Sequence, residues 1–146
     1  MYHWHNGILT SDIEKTIKGF CAIPGVTRDL WTLGEVYFPP QEMVAGGGGR
    51  LKTAFARIGS IVYELLEPLD DTSYHAAALR KCGPGLHHAA YVCEDKLDEV
   101  IAAQLAAGGK IVWEVRRGDT EHAVYIESED GSMIWEFIDV CPFMPE

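Results

Sequence analysis

Two kinds of apolar spacing succeed one another along the chain, and they do so twice. His5-Asn6-Gly7-Ile8-Leu9 opens as a short strand-like run that ends at Thr10-Ser11-Asp12. Ile13, Ile17 and Phe20 then recur at helical spacing, with Glu14 three residues after Ser11 as a capping box places it. The order returns at His88-Ala89-Ala90-Tyr91-Val92-Cys93, ending at Glu94-Asp95. Leu97, Val100, Ile101 and Leu105 then share a helical face, and Gly108-Gly109 is a stop signal. His5 and His88 stand 83 residues apart, as do Asp12 and Asp95. Fixed-period self-similarity of this kind marks a duplicated structural unit.

The later parts of the two units also match. Residues 56–66 read as strand, tight turn, strand, and so do residues 124–137, where Asp130-Gly131 is a hairpin signal. Five residues after the turn glycine each hairpin carries a glutamate, Glu64 after Gly59 and Glu136 after Gly131. The spacing predicts a β-α-β-β-β module over residues 1–69 and another over 86–146. The joining segment, 70–85, is expected to hold a short helix over Ser73–Lys81, ended by Gly83-Pro84-Gly85.

The first unit is longer by 11 residues between its histidine and its glutamate, 59 against 48. The excess falls on Pro39 to Ala45 and the run Gly46-Gly47-Gly48-Gly49, read as a mobile loop over the sheet. A phosphate cradle would need an apolar strand before it and a helix after it. Here Pro39-Pro40 precedes and an expected strand, 50–57, follows.

Strand side chains alternate between faces, so Glu64 lies with Val62 and Leu66, and Glu136 with Ile134 and Ile138. A carboxylate among aliphatic residues is costly to bury unless it is paired or binds a metal. The matched positions of His5, Glu64, His88 and Glu136 therefore predict one shared site on a pseudo-twofold axis. Two carboxylates balance a divalent charge, and the donor set suits Co²⁺, Mn²⁺, Ni²⁺ or Zn²⁺. His3 corresponds to Leu86 and is set aside. His87 corresponds to Trp4, is expected on the opposite face from His88, and is given a supporting role. His75 and His122 have no partner in the repeat and are read as surface residues.

Composition narrows the classes of function. The 146 residues are 47% apolar and 23% charged, enough for one globular unit with a real core. A net charge of −10 argues against nucleic acid and anionic membranes as partners. No apolar run is long enough to span a bilayer, and the N-terminus lacks a signal pattern. Four scattered cysteines, Cys21, Cys82, Cys93 and Cys141, indicate neither a disulfide scaffold nor a cysteine zinc site. A cytoplasmic location is the expectation.

The repeat with His5, Glu64, His88 and Glu136 resembles the vicinal oxygen chelate (glyoxalase/bleomycin-resistance) superfamily over essentially the whole chain. Glu64-Leu65-Leu66-Glu67-Pro68-Leu69 and Gly85-Leu86-His87-His88-Ala89-Ala90 are most similar to segments of methylmalonyl-CoA epimerases. The resemblance implies an α+β fold, two βαβββ modules forming a half-open mixed-sheet barrel around one divalent metal, and a homodimer. It implies removal of a proton next to a carbonyl of an acyl thioester, with an enediolate stabilised by the metal. Glu136 would be a ligand and, when displaced by substrate, the base.

The epimerases carry a second catalytic glutamate about 17 residues before the first metal carboxylate. Here that position is Gly47, and the nearest acid is Glu42, so either the loop carries Glu42 into the site or the two-base mechanism is not intact. Absence of the second glutamate favours a related lyase of the glyoxalase I type, acting on a glutathione hemithioacetal with a single base. An extradiol-type dioxygenase would need only His5, His88 and Glu136 around Fe²⁺. A ligand-sequestering protein would use an aromatic pocket, for which Trp4, Trp31, Trp113 and Trp135 are available. Arg50, Lys52, Arg57, Arg80, Lys81, Arg116 and Arg117 are the cations available to a CoA or carboxylate group.

Overall fold

A computed structural model describes all 146 residues. The first unit runs β1 (Tyr2–Leu9), α1 (Ile13–Phe20), β2 (Thr32–Tyr37), β3 (Met43–Ala45), β4 (Arg50–Ile58) and β5 (Ile61–Pro68). After α2 (Tyr74–Cys82) the second runs β6 (Gly85–Val92), α3 (Leu97–Ala106), β7 (Lys110–Arg117), β8 (Glu121–Glu127) and β9 (Ile134–Ile138). The strands form one mixed sheet in the order β2-β4-β5-β1-β6-β9-β8-β7-β3. In each unit the first strand pairs in parallel with the last, β1 with β5 and β6 with β9. The units join where β1 runs antiparallel to β6. This is the α+β mixed-sheet half-barrel that the resemblance implied.

Local chemistry explains the elements. Asp12, rather than Ser11, caps α1, its carboxylate accepting from the Lys15 amide at 3.1 Å. Ser73 caps α2 through the Ala76 amide at 3.0 Å. Gly59 takes a positive φ of 63° in the two-residue β4–β5 turn, which a side chain would disfavour. Ile13 and Ile17 of α1 bury against Trp31, Ala54, Ala56 and Leu65, while Leu97 of α3 buries against Val124, Ile126 and Phe137. Both helices thus cover one side of the sheet, and a separate core that includes Trp4, Leu66, Trp113 and Tyr125 fills the other. No helix is long and apolar enough to cross a membrane.

The glycine run overturns the expectation of a mobile loop. Residues 38–49 form a strap that leaves β2 at one edge of the sheet and adds β3 to β7 at the other. The glycines are where the strap touches other backbone. A Cβ on Gly47 would stand 2.2 Å from the Thr72 carbonyl oxygen, and one on Gly48 2.2 Å from that of Phe38. The Gly47 carbonyl accepts from the Tyr74 amide at 2.9 Å and the Gly48 carbonyl from the Thr72 hydroxyl at 2.9 Å. Glycine is here a requirement of close packing.

Candidate metal centre

Two β-bulges shape the site, and they repeat as the chain does. In the β1–β6 ladder His3 faces Tyr91 and His5 faces Ala90, so Trp4 is the extra residue. Farther along, Gly7 faces His88 and Ile8 faces Leu86, so His87 is the extra residue. Trp4 and His87 are the corresponding positions of the two units. Each bulge suspends the alternation of faces, so Trp4 and His5 are both buried and their ring centroids lie 4.3 Å apart. This corrects the expectation that His87 faces away from His88, because their Nδ1 atoms are 2.9 Å apart.

The structure brings His5, Glu64, His88 and Glu136 together, one side-chain atom from each lying within 4.8 Å of all the others. His5 Nε2 is 2.9 Å from Glu64 Oε2 and 3.3 Å from Glu136 Oε2. His88 Nε2 is 3.2 Å from Glu136 Oε2 and 3.7 Å from Glu64 Oε2. The two Nε2 atoms are 3.1 Å apart. His5, His88 and Glu136 are buried, and Glu64 is nearly so.

The electrostatics call for positive charge at that point. Burial alone would lower the pKa of His5, yet Glu64 and Glu136 raise it to about 9. His88 is also raised, burial being outweighed by the same two carboxylates. Burial would raise Glu64 and Glu136, but His5 and His88 hold both below the usual carboxylate range. A divalent cation would meet the same demand through the same four atoms, so the residues fit a metal. Four protein ligands with further coordination by substrate oxygens suit catalysis better than a closed tetrahedral zinc site.

His88 is oriented from behind. His87 Nδ1 faces His88 Nδ1, and His87 Nε2 lies 3.0 Å from the Tyr74 hydroxyl. A lone pair on His88 Nε2 for a metal requires the proton on Nδ1, donated to His87, which then donates from Nε2 to Tyr74. Burial depresses the His87 pKa to about 3, which keeps it neutral for this part. His5 Nδ1 is buried without such a partner.

A cavity of about 300 Å³ opens beside Glu64 and Glu136. Trp4, Phe38, Phe55, Trp113 and Phe143 supply aromatic walls, and the Trp4 indole N–H donates to the Phe143 carbonyl at 2.8 Å. Two further histidines depart from expectation. His75, read as a surface residue, is buried, lines the cavity, and pairs with the Tyr125 hydroxyl at 2.8 Å. His122 is buried as well, with Nε2 2.8 Å from Glu114 Oε2. A histidine without a counterpart in the repeat carries no sequence signal of its burial. Tyr74, in the joining segment, carries no signal for the same reason, and Tyr125 reads from sequence only as a strand position of the second hairpin.

Glu42 does not line the cavity. Arg117 holds it on the strap, Nη1 to Oε2 at 3.1 Å, while donating from Nη2 to the Tyr37 carbonyl at 2.7 Å. The half-buried acid that does line the wall away from the cluster is Glu121, raised by burial against the pull of Arg117.

The fold and this four-residue cluster define a class of protein. Residues 4–126 match the model of the Glyoxalase/Bleomycin resistance protein/Dioxygenase superfamily, and the chain belongs to that superfamily. Among solved structures it is similar to the methylmalonyl-CoA epimerase of Mycobacterium tuberculosis, with 21% identity and a TM-score of 0.63 over 96% of this chain and 88% of that one. It is similar to a single-residue variant of the Streptomyces coelicolor methylmalonyl-CoA epimerase in complex with 2-nitronate-propionyl-CoA, with 20% identity and a TM-score of 0.64 over 100% and 99%. A hypothetical protein of Bacillus halodurans shares 22% identity and a TM-score of 0.62 over 99% and 98%. No curated protein matches the sequence.

Proposed function

We propose that this chain is a divalent-metal-dependent enzyme that removes a proton next to the carbonyl of an acyl thioester, as an isomerase or epimerase. The observation that carries the proposal is the convergence of His5, Glu64, His88 and Glu136, with Glu64 and Glu136 bordering a cavity large enough for an acyl group. Each module, residues 1–69 and 86–146, contributes one histidine and one glutamate as metal ligands. A bound divalent ion would supply Lewis-acid stabilisation of negative charge on the carbonyl oxygen. Co²⁺, Mn²⁺, Ni²⁺ and Zn²⁺ all suit the donor set.

Glu136 is the proposed base. Its carboxylate borders the cavity, so it can accept the α-proton and return it. His88, held by His87 and Tyr74, stays fixed while Glu136 exchanges partners. The aromatic walls keep water from the carbanion-like carbon. Epimerisation also needs a proton donor on the opposite side of that carbon. Glu42 is tied to Arg117 outside the cavity, which favours a single-base version of the chemistry. That is the second reading, a lyase of the glyoxalase I type on a glutathione hemithioacetal. An iron dioxygenase would leave Glu64 spare, whereas its oxygen lies as near His5 as any atom of the cluster. The family resemblance also carries a homodimer, which sedimentation of the purified protein tests.

The deciding experiment loads the protein with Mn²⁺ or Co²⁺ and follows loss of the α-proton signal of acyl-CoA thioesters in D₂O. Washout that the Glu136→Ala variant abolishes supports the proposal. Washout from no acyl thioester by a fully metallated protein rejects it, and a hemithioacetal substrate then becomes the next probe. Glu64→Ala is expected to lose Co²⁺ affinity, and unchanged affinity would return the three-ligand reading.

A further inference from the structure

The cavity wall is largely aromatic, and acidic wherever it is charged. Its charged lining residues are Glu35, Glu64, Glu121 and Glu136, and no lysine or arginine reaches it. Two of these belong to the metal cluster. Glu35 stands exposed on β2, and Glu121 is drawn towards Arg117, whose Nε is 3.7 Å from its carboxylate.

Three of the guanidinium groups named above are engaged elsewhere. Arg117 binds Glu42 and the Tyr37 carbonyl and lies 4.7 Å over the Phe38 ring. Arg50 lies 4.4 Å over the Tyr37 ring, and Arg57 donates to the Pro145 carbonyl. A ligand carboxylate brought to this wall would lose its water, find no cation beyond the metal, and face Glu121 on β8, whereas Glu35 on β2 stands at the exposed rim opposite Lys52. A flat or branched apolar group would instead meet Trp4, Phe55 and Phe143, whose rings lie 5.3 to 6.0 Å apart along one wall.

We infer that the group held beside the metal cluster is an uncharged aromatic or branched aliphatic acyl side chain, and that substrates with a second carboxylate on the acyl part are rejected. This rests on the proposed acyl-thioester chemistry and specifies its substrate.

The test compares 2-phenylpropanoyl-CoA with methylmalonyl-CoA, which share the CoA portion, on the Mn²⁺-loaded protein. Binding is read by calorimetry and tryptophan fluorescence, and α-proton exchange is read separately in D₂O. The expected result is that the phenyl thioester binds tighter by about ten-fold or more. Thr53→Arg, which places a guanidinium on the β4 wall, is expected to narrow or reverse that preference. Equal or tighter binding of methylmalonyl-CoA by the unaltered protein overturns the inference, as does failure of both to bind. Tight binding of the phenyl thioester without exchange keeps the ligand class and rejects the reaction. Exchange of methylmalonyl-CoA in preference keeps the reaction and rejects the ligand class.

Discussion

Gly7 and His88 face each other across the β1–β6 ladder, and a Cβ on Gly7 would stand 2.0 Å from the His88 ring. The imidazole occupies the space that any other residue at position 7 would fill. Gly7→Ala must therefore displace a proposed metal ligand while leaving the strand pairing available. We expect Co²⁺ affinity to fall by on the order of 100-fold, with the far-ultraviolet circular dichroism little changed. Wild-type affinity in this variant would mean that His88 is not a ligand.

The His87–Tyr74 relay predicts a graded series. Outer partners of metal-ligating histidines are worth about 10–100-fold in metal affinity. His87→Phe removes the acceptor for His88 Nδ1–H and should weaken Co²⁺ binding within that range. Tyr74→Phe removes only the far end of the chain and should cost less. Competition titration against a chelating dye measures both. Equal, small effects would show that the relay does not set the His88 tautomer.

The strap makes a stability prediction that a mobile loop would not. Gly47→Ala sets a methyl group against the Thr72 carbonyl, part of the backbone that anchors α2. Overpacking of this kind costs about 1–3 kcal/mol. Urea denaturation of the metal-free protein should register the loss. A change below a few tenths of a kcal/mol would mean that the strap gives way freely.

Much of the site was legible because the repeat constrains it. One histidine fits many roles, but two histidines and two glutamates at corresponding places in two units fit few, and the structure brings those four together. What the repeat did not repeat stayed hidden. His75 and Tyr74 sit in the joining segment and His122 outside the matched hairpins, so the repeat says nothing of them, and Tyr125 reads there only as a strand position. The bulges at Trp4 and His87 break the two-residue period on which reading of faces depends. The β3–β7 pairing joins residues far apart in the chain, so nothing local near Gly46–Gly49 announces it. Close backbone packing and flexibility ask for the same residue, glycine, and composition alone cannot separate them.

His75 gives the pH dependence that lies outside the metal cluster. Burial lowers its pKa from 6.5 to about 4, the charge on His88 lowering it further against the pull of Glu64 and Glu136. In the unfolded chain the ring takes up a proton near 6.5, whereas the folded protein resists until about 4. Between those values the unfolded state binds more protons, so stability falls as pH falls through that window and is fully present above it. A difference of this size corresponds to on the order of 3 kcal/mol. Gln at this position cannot titrate yet can still meet the Tyr125 hydroxyl. Denaturation of the wild type at pH 7 and pH 4.5 should therefore show a larger loss than His75→Gln. Parallel losses in the two proteins would mean that His75 takes up its proton in the fold as readily as in the open chain.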